Sequence, residues 1–148
     1  MDFQDSAEEI AFRNEVKSWL EDNVPTAKEL EGLSYIEQCK LWQKRKYDAG
    51  WACIRWPKEF GGRGASAIEQ VILSQEEAKF DVPAGVFSIG QGMAAPTLMT
   101  WADEAAKERY LPKLASGEEI WCQLFSEPAG GSDLAALRTK AEKDGDEW

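Results

Sequence analysis

The sequence contains no histidine. That absence removes imidazole general bases, His-based catalytic triads and histidine metal sites together. Proton transfer must therefore rely on a carboxylate, a lysine, a tyrosine, a cysteine or a bound cofactor. Cysteine is scarce. Cys39, Cys53 and Cys122 stand far apart with no Cys-x-x-Cys, the pattern of free thiols in a reducing cytosol. Basic residues are outnumbered, with 17 Lys and Arg against 27 Asp and Glu, and the net charge of −10 argues against a nucleic-acid backbone as partner. An acidic chain can still hold one phosphate ligand through backbone N–H groups and hydroxyls. No apolar run approaches membrane-spanning length, and Met1–Asp5 has neither the basic nor the apolar region of a signal peptide. The expectation is a cytoplasmic protein with no metal, no membrane span and no nucleic-acid partner.

What is present is a globular composition, 43% apolar with seven Trp and six Phe to fill a core. The length of 148 residues suits one domain and the start of a second. Asp5-Ser6 followed by an acidic turn opens a helix that Pro25 stops. Ser34-Tyr-Ile-Glu37 is a capping box, and the helix it starts should run through Trp42 and Tyr47 to Gly50. Trp51 to Ala65 is a loop whose Gly61, Gly62 and Gly64 read as structural, since no strand precedes them and no Gly-x-Gly-x-x-Gly is present. Ser66 to Lys79 is a third helix. Gly85 to Trp101 is apolar on nearly every side, which predicts a buried helix. Its Gly85, Gly90 and Gly92 favour close helix packing, with space for a ligand tail as the other reading. A helix from Asp103 should break near Pro112, and Ser116-Gly117 closes the helical part. Beyond Glu119, Ile120 to Phe125 reads as a strand, Leu137 to Glu142 alternates, and Asp144-Gly145-Asp146 is a hairpin-type turn. The predicted fold class is mainly α: a helical domain over 1–118, then the first strands of an incomplete β-rich domain over 119–148.

The most informative stretch is Gln123-Leu-Phe-Ser-Glu-Pro-Ala-Gly-Gly-Ser-Asp133. An apolar run, a hydroxyl, a Glu-Pro turn, a Gly-Gly pair and Ser-Asp suit a strand ending in a loop that meets a phosphorylated cofactor. Taken without further context, Ser126 and Ser132 read as turn-forming hydroxyls. The stretch resembles the flavin-binding strand and loop of the acyl-CoA dehydrogenases. Trp56-Pro-Lys-Glu-Phe-Gly-Gly-Arg-Gly64 is similar to that family's Trp-Pro-x-Glu-x-Gly-Gly-x-Gly loop. Arg109-Tyr-Leu-Pro112, Ser116-Gly-Glu118, Thr139-x-Ala141 and Asp144-Gly-Asp-x-Trp148 match further segments in the same order, nearly the whole chain long.

The resemblance implies an N-terminal helical domain, the beginning of a β-barrel middle domain, and FAD as cofactor. It implies an oxidoreductase of the kind used in fatty-acid β-oxidation, one that removes a Cα proton and passes a Cβ hydride to flavin N5. It also implies an acyl-CoA substrate, an electron-transfer flavoprotein as acceptor, and a homotetramer or a mixed oligomer. Carried onto this chain, Gln123, Leu124, Phe125 and Ser126 would run beside the flavin ring. Gly130 and Gly131 would let the backbone approach it, and Ser132 would meet both its pyrophosphate and the pantetheine of the substrate. Val86, Ile89, Gly90 and Met93 would wall the acyl pocket, their glycine suggesting room for a branched or ring-bearing group. Ser126 stands where the family usually has Thr, keeping the hydroxyl but losing the β-branch. No position matches the family's catalytic carboxylate, so Glu59, Glu76, Glu118 and Glu127 are not assigned as base, and the base is expected beyond Trp148. The chain reads as an N-terminal piece of a longer protein, inactive and poor at binding FAD alone. Alternatives are an acyl-CoA oxidase and a non-catalytic scaffold subunit of a mixed oligomer.

Overall fold

The computed structural model describes residues 4–147. Among the described residues six α-helices carry the fold: α1 (Ala7–Asn23), α2 (Ala27–Leu30), α3 (Tyr35–Asp48), α4 (Ala67–Glu77), α5 (Ala95–Trp101) and α6 (Glu104–Ser116). Four of them begin with the same device. Ser6 with Glu9, Thr26 with Glu29, Ser34 with Glu37 and Ser66 with Glu69 form capping boxes. At α3 the Glu37 N–H donates to Ser34 Oγ at 3.4 Å while the Ser34 N–H donates to the Glu37 carboxylate at 2.8 Å. Each box satisfies two donors that a helix start leaves without partners. Asp103 caps α6 by accepting the Ala106 N–H at 2.8 Å.

Two apolar clusters hold the helices. Val16 and Leu20 from α1, Trp42 from α3 and Leu73 from α4 close around Trp51 and Ile54 of the connecting loop. Trp19 stacks on Trp42 with ring centroids 5.4 Å apart, and the Arg63 guanidinium lies 3.6 Å from the Trp51 ring centre. The second cluster joins Trp56 to Ala95, Leu111, Leu114 and Ala115. Each fully buried Leu or Ile stabilises the fold by roughly 1.5–3 kcal/mol. The glycine loop links the two clusters. Gly62 passes so close to Trp56 that a Cβ there would sit 2.0 Å from its carbonyl oxygen. That contact supports the structural reading of these glycines.

Three expectations change. The helix expected from Gly85 begins only at Ser88, after a turn at Val86–Phe87, and it widens into a π-helical turn over Gly90–Ala94 before α5. Pro96 has no N–H and its ring crowds the carbonyl four residues back, so a widened turn ahead of it relieves both. Nor is the helix buried all round, since Met93 is 48% and Trp101 83% exposed. α6 does not break at Pro112 but runs on to Ser116. Pro112 lies on the solvent face, where water can satisfy the freed carbonyl, while Leu111, Leu114 and Ala115 bury the opposite face. Finally, Ile120 to Phe125 forms no ladder. Among the described residues there is no strand, only bridges closing two tight turns, Glu127 with Gly130 and Asp144 with Glu147. A strand needs a partner edge, and no described segment supplies one here.

Candidate functional site

The segment after α6 is fixed by side chains reaching for its backbone. Gly117 ends the helix in the left-handed region at φ 78. The Gln43 amide donates to the Ala115 carbonyl at 2.7 Å, the Gln91 amide to the Leu114 carbonyl at 2.9 Å, and Lys40 Nζ to the Glu118 carbonyl at 2.9 Å. Trp121 then pins the chain. Its ring meets Tyr110 edge-on at 5.1 Å and its indole N–H donates to Glu119 at 2.9 Å.

That anchoring lays Gln123, Leu124 and Phe125 opposite the helix that begins at Ser88. Between them lies a groove of about 480 Å³, with Ile89, Met93 and Leu98 on one wall and Trp121, Leu124 and Phe125 on the other. Leu124 is 87% and Phe125 77% exposed, so apolar area faces outward along this groove. Of the predicted wall residues, Ile89 and Met93 line it. Gly90 lies behind, where a Cβ would meet Leu114 at 3.0 Å and Trp121 at 3.5 Å. Val86 is half-buried in the preceding turn and does not line the groove. Gly92 has nothing within 4 Å of a Cβ and borders a second cavity, of about 680 Å³, against Trp51, Arg55 and Trp56.

Ser126, Gly131 and Ser132 sit past the end of the groove, all exposed. A Cβ on Gly131 would stand 3.7 Å from Ser126 Oγ, so these two positions are neighbours. Neither the N–H nor the C=O groups of Gln123–Ser126 find a partner among the described residues. Asp133 caps a short 3₁₀ turn, Leu134–Ala136, by accepting the Ala135 N–H at 3.2 Å. Sequence reading named Glu127 only to set it aside as a base, and gave it no other role. Its carboxylate accepts the Arg138 N–H at 2.9 Å, the Thr139 N–H at 2.7 Å and the Thr139 hydroxyl. The Thr139 hydroxyl first, then the two backbone donors, hold its pKa below the usual carboxylate range. No local pattern announces a partnership eleven residues away. Among the described residues no group of carboxylates and thiols is arranged to hold a metal ion, and no helix is long and apolar enough to cross a membrane.

The sequence profile of the acyl-CoA dehydrogenase N-terminal domain matches residues 6–118. The chain belongs to the acyl-CoA dehydrogenase family. It is 39% identical over 145 residues to acyl-CoA dehydrogenase IpdE1 of Mycobacterium tuberculosis, covering 93% of this chain and 38% of that one. The fold is similar to the ChsE4–ChsE5 complex from Mycobacterium tuberculosis, with TM-score 0.75 and 32% identity over 99% of this chain and 37% of the matched one. It is similar as well to the Tcur3481–Tcur3483 steroid ACAD, with TM-score 0.74, 31% identity and coverage of 99% and 38%. The chain thus spans less than two-fifths of the length of these matched proteins.

Proposed function

We propose that this chain forms the N-terminal part of an FAD-dependent acyl-CoA dehydrogenase, with residues 1–118 as its helical domain and 119–148 as the start of the middle domain. The observation that carries this reading is the groove that joins Ile89 and Met93 to Gln123, Leu124 and Phe125. The residues suit a flavin. Apolar Leu124 and Phe125 offer a flat ring a surface, and the unpaired backbone groups of Gln123–Ser126 offer its polar edge donors and acceptors. Ser126 would add a hydroxyl there. Gly131 and Ser132, exposed beside it, would take the pyrophosphate, and Ser132 the pantetheine as well. The chemistry the flavin supplies when bound is acceptance at N5 of the hydride leaving Cβ of the thioester.

This chain's own part is to orient the acyl group along Ile89 and Met93 and to exclude water from it. It assigns no base. Glu76 is held by Arg13 and Lys79, Glu118 by Lys113, and Glu127 by the loop, which supports leaving the Cα proton to a carboxylate elsewhere in the full-length protein. The likeness to a structure named as a steroid ACAD favours a ring-bearing or branched acyl group. The likeness to a two-protein complex favours a mixed oligomer, one subunit of which could serve as scaffold, over a homotetramer. An electron-transfer flavoprotein as acceptor and a cytoplasmic location complete the proposal.

The test is purification of the full-length protein with its partner subunit and assay against ring-bearing, branched and straight-chain acyl-CoA thioesters. Stoichiometric flavin absorbance, bleached by a ring-bearing or branched thioester and restored by electron-transfer flavoprotein, is the expected result. Flavin reoxidised mainly by dioxygen would indicate an oxidase. A colourless full-length protein that gains no flavin on reconstitution would overturn the proposal. The 148-residue chain alone is expected to bind FAD poorly and to show no dehydrogenase activity, which flavin titration checks.

A further inference from the structure

Glu127 stands at one end of the tight turn Glu127–Gly130, which is closed by backbone bonds of 2.9 and 3.1 Å. Its carboxylate reaches past that turn to the segment eleven and twelve residues on. Oε2 accepts the Arg138 N–H, and Oε1 accepts both the N–H and the hydroxyl of Thr139. Two further contacts lie between these ends. Gly130 packs so tightly on Ala136 that a Cβ would meet its carbonyl carbon at 3.2 Å, and Asp133 caps Leu134–Ala136. The stretch from Ser126 to Thr139 is thus closed at its base by Glu127, in its middle by Gly130 against Ala136, and at its tip by Asp133. The side chains left facing outward include Ser126 and Ser132, with Gly131 between them.

We propose that Glu127 is a positioning residue, whose carboxylate ties the two ends of this loop together and so presents Gly131 and Ser132 in one arrangement to the pyrophosphate of the cofactor. The inference rests on the flavoenzyme reading above and adds to it a residue that touches no ligand. The physical reason is preorganisation. No residue of this loop belongs to either apolar cluster, so burial contributes little to its order. Hydrogen bonds to an ionised acceptor are about twice as strong as neutral ones, and three converge on this carboxylate. Ordering the loop in advance removes an entropy cost that the ligand would otherwise meet on binding.

The test uses the full-length protein, stripped of flavin and reconstituted. Glu127→Ala should raise the FAD dissociation constant about tenfold, with Glu127→Gln in between. It should also speed backbone amide exchange across residues 126–139, while Tm of the flavin-free protein stays within about 2 °C of the parent, a readout that a general stabilising role would move. Ser132→Ala should weaken FAD without changing exchange. Unaltered exchange and affinity in Glu127→Ala, alongside weakened binding in Ser132→Ala, would overturn the role of Glu127 alone. A fall in Tm that accounts for the lost affinity would do the same. Unaltered affinity in both Ser126→Ala and Ser132→Ala would instead overturn the cofactor reading on which the inference stands, whatever the exchange shows.

Discussion

Removal of the Arg13 guanidinium should cost this chain more than removal of its partner. Glu76 is buried at 2% exposure, and its carboxylate accepts from Arg13 at 2.8 Å and from Lys79. Arg13 has other partners, Asp5 at 2.6 Å and Gln75 at 3.0 Å, and is 27% exposed. Lys79 is 61% exposed and keeps its water. Arg13→Met therefore leaves a buried carboxylate with one mobile partner, at about 3 kcal/mol. Glu76→Gln leaves two cations that are already solvated or paired, at about 1 kcal/mol. In a chain of this size those losses correspond to Tm shifts of roughly 10 °C and 3 °C.

The pH dependence follows from the same geometry. Burial alone would push the Glu76 pKa up, but the bonds from Lys79 and Arg13 outweigh it and hold the folded value below the usual range. A depressed carboxylate contributes stability that is present above the unfolded pKa, about 4.3, and is lost as pH falls through the folded value. In Arg13→Met the burial effect prevails and the folded pKa moves up, so the loss relative to the parent should be largest near pH 7 and shrink as falling pH protonates Glu76. Urea denaturation of parent and variants at pH 7 and pH 5 measures both effects. Equal losses for Arg13→Met and Glu76→Gln at pH 7, or an Arg13→Met loss that grows between pH 7 and pH 5, would refute the reasoning.

Two glycines separate packing from open space. Gly62→Ala meets a backbone carbonyl that cannot move aside and should prevent folding or lower Tm by more than 10 °C, whereas Gly92→Ala meets nothing within 4 Å and should raise Tm slightly, helix propensity favouring Ala by up to about 1 kcal/mol; thermal melts of both report this. Leu111→Ala empties a site that is 1% exposed in the second cluster and should cost about 3 kcal/mol by urea titration. The three thiols should separate by rate in a thiol-labelling time course at pH 8. Exposed Cys122 should react fast, and Cys39 only on opening of the core. Cys53, pushed up to about 12 by burial in spite of nearby Lys46, should be slow.

The helix starts were legible because capping is local chemistry. Ser34 and Glu37 stand three residues apart in the chain and three residues apart in the bond they make. Two starts escaped, Thr26–Glu29 for its brevity and the late one at Ser88, since a run that is apolar on all sides carries no sign of where the backbone turns. The lining of the groove was half legible. Its four residues were read along one stretch, but only Ile89 and Met93 line the groove, because Val86 falls in the turn before Ser88 and Gly90 faces Leu114 and Trp121.

Sequence by itself determined the absence of imidazole chemistry, the acidic surface, the helix caps and the ordered motifs by which the family is recognised. All of these depend on residue identity at short range. Tertiary structure alone decided that Gly62 must be glycine, that Pro112 can sit inside a helix, that Glu76 is a buried ion, and that Glu127 closes a loop on Thr139. The reason is common to all four. Each outcome depends on which atoms distant in the chain lie within a few ångströms and on how much water reaches them, and neither quantity is written in any short stretch of residues.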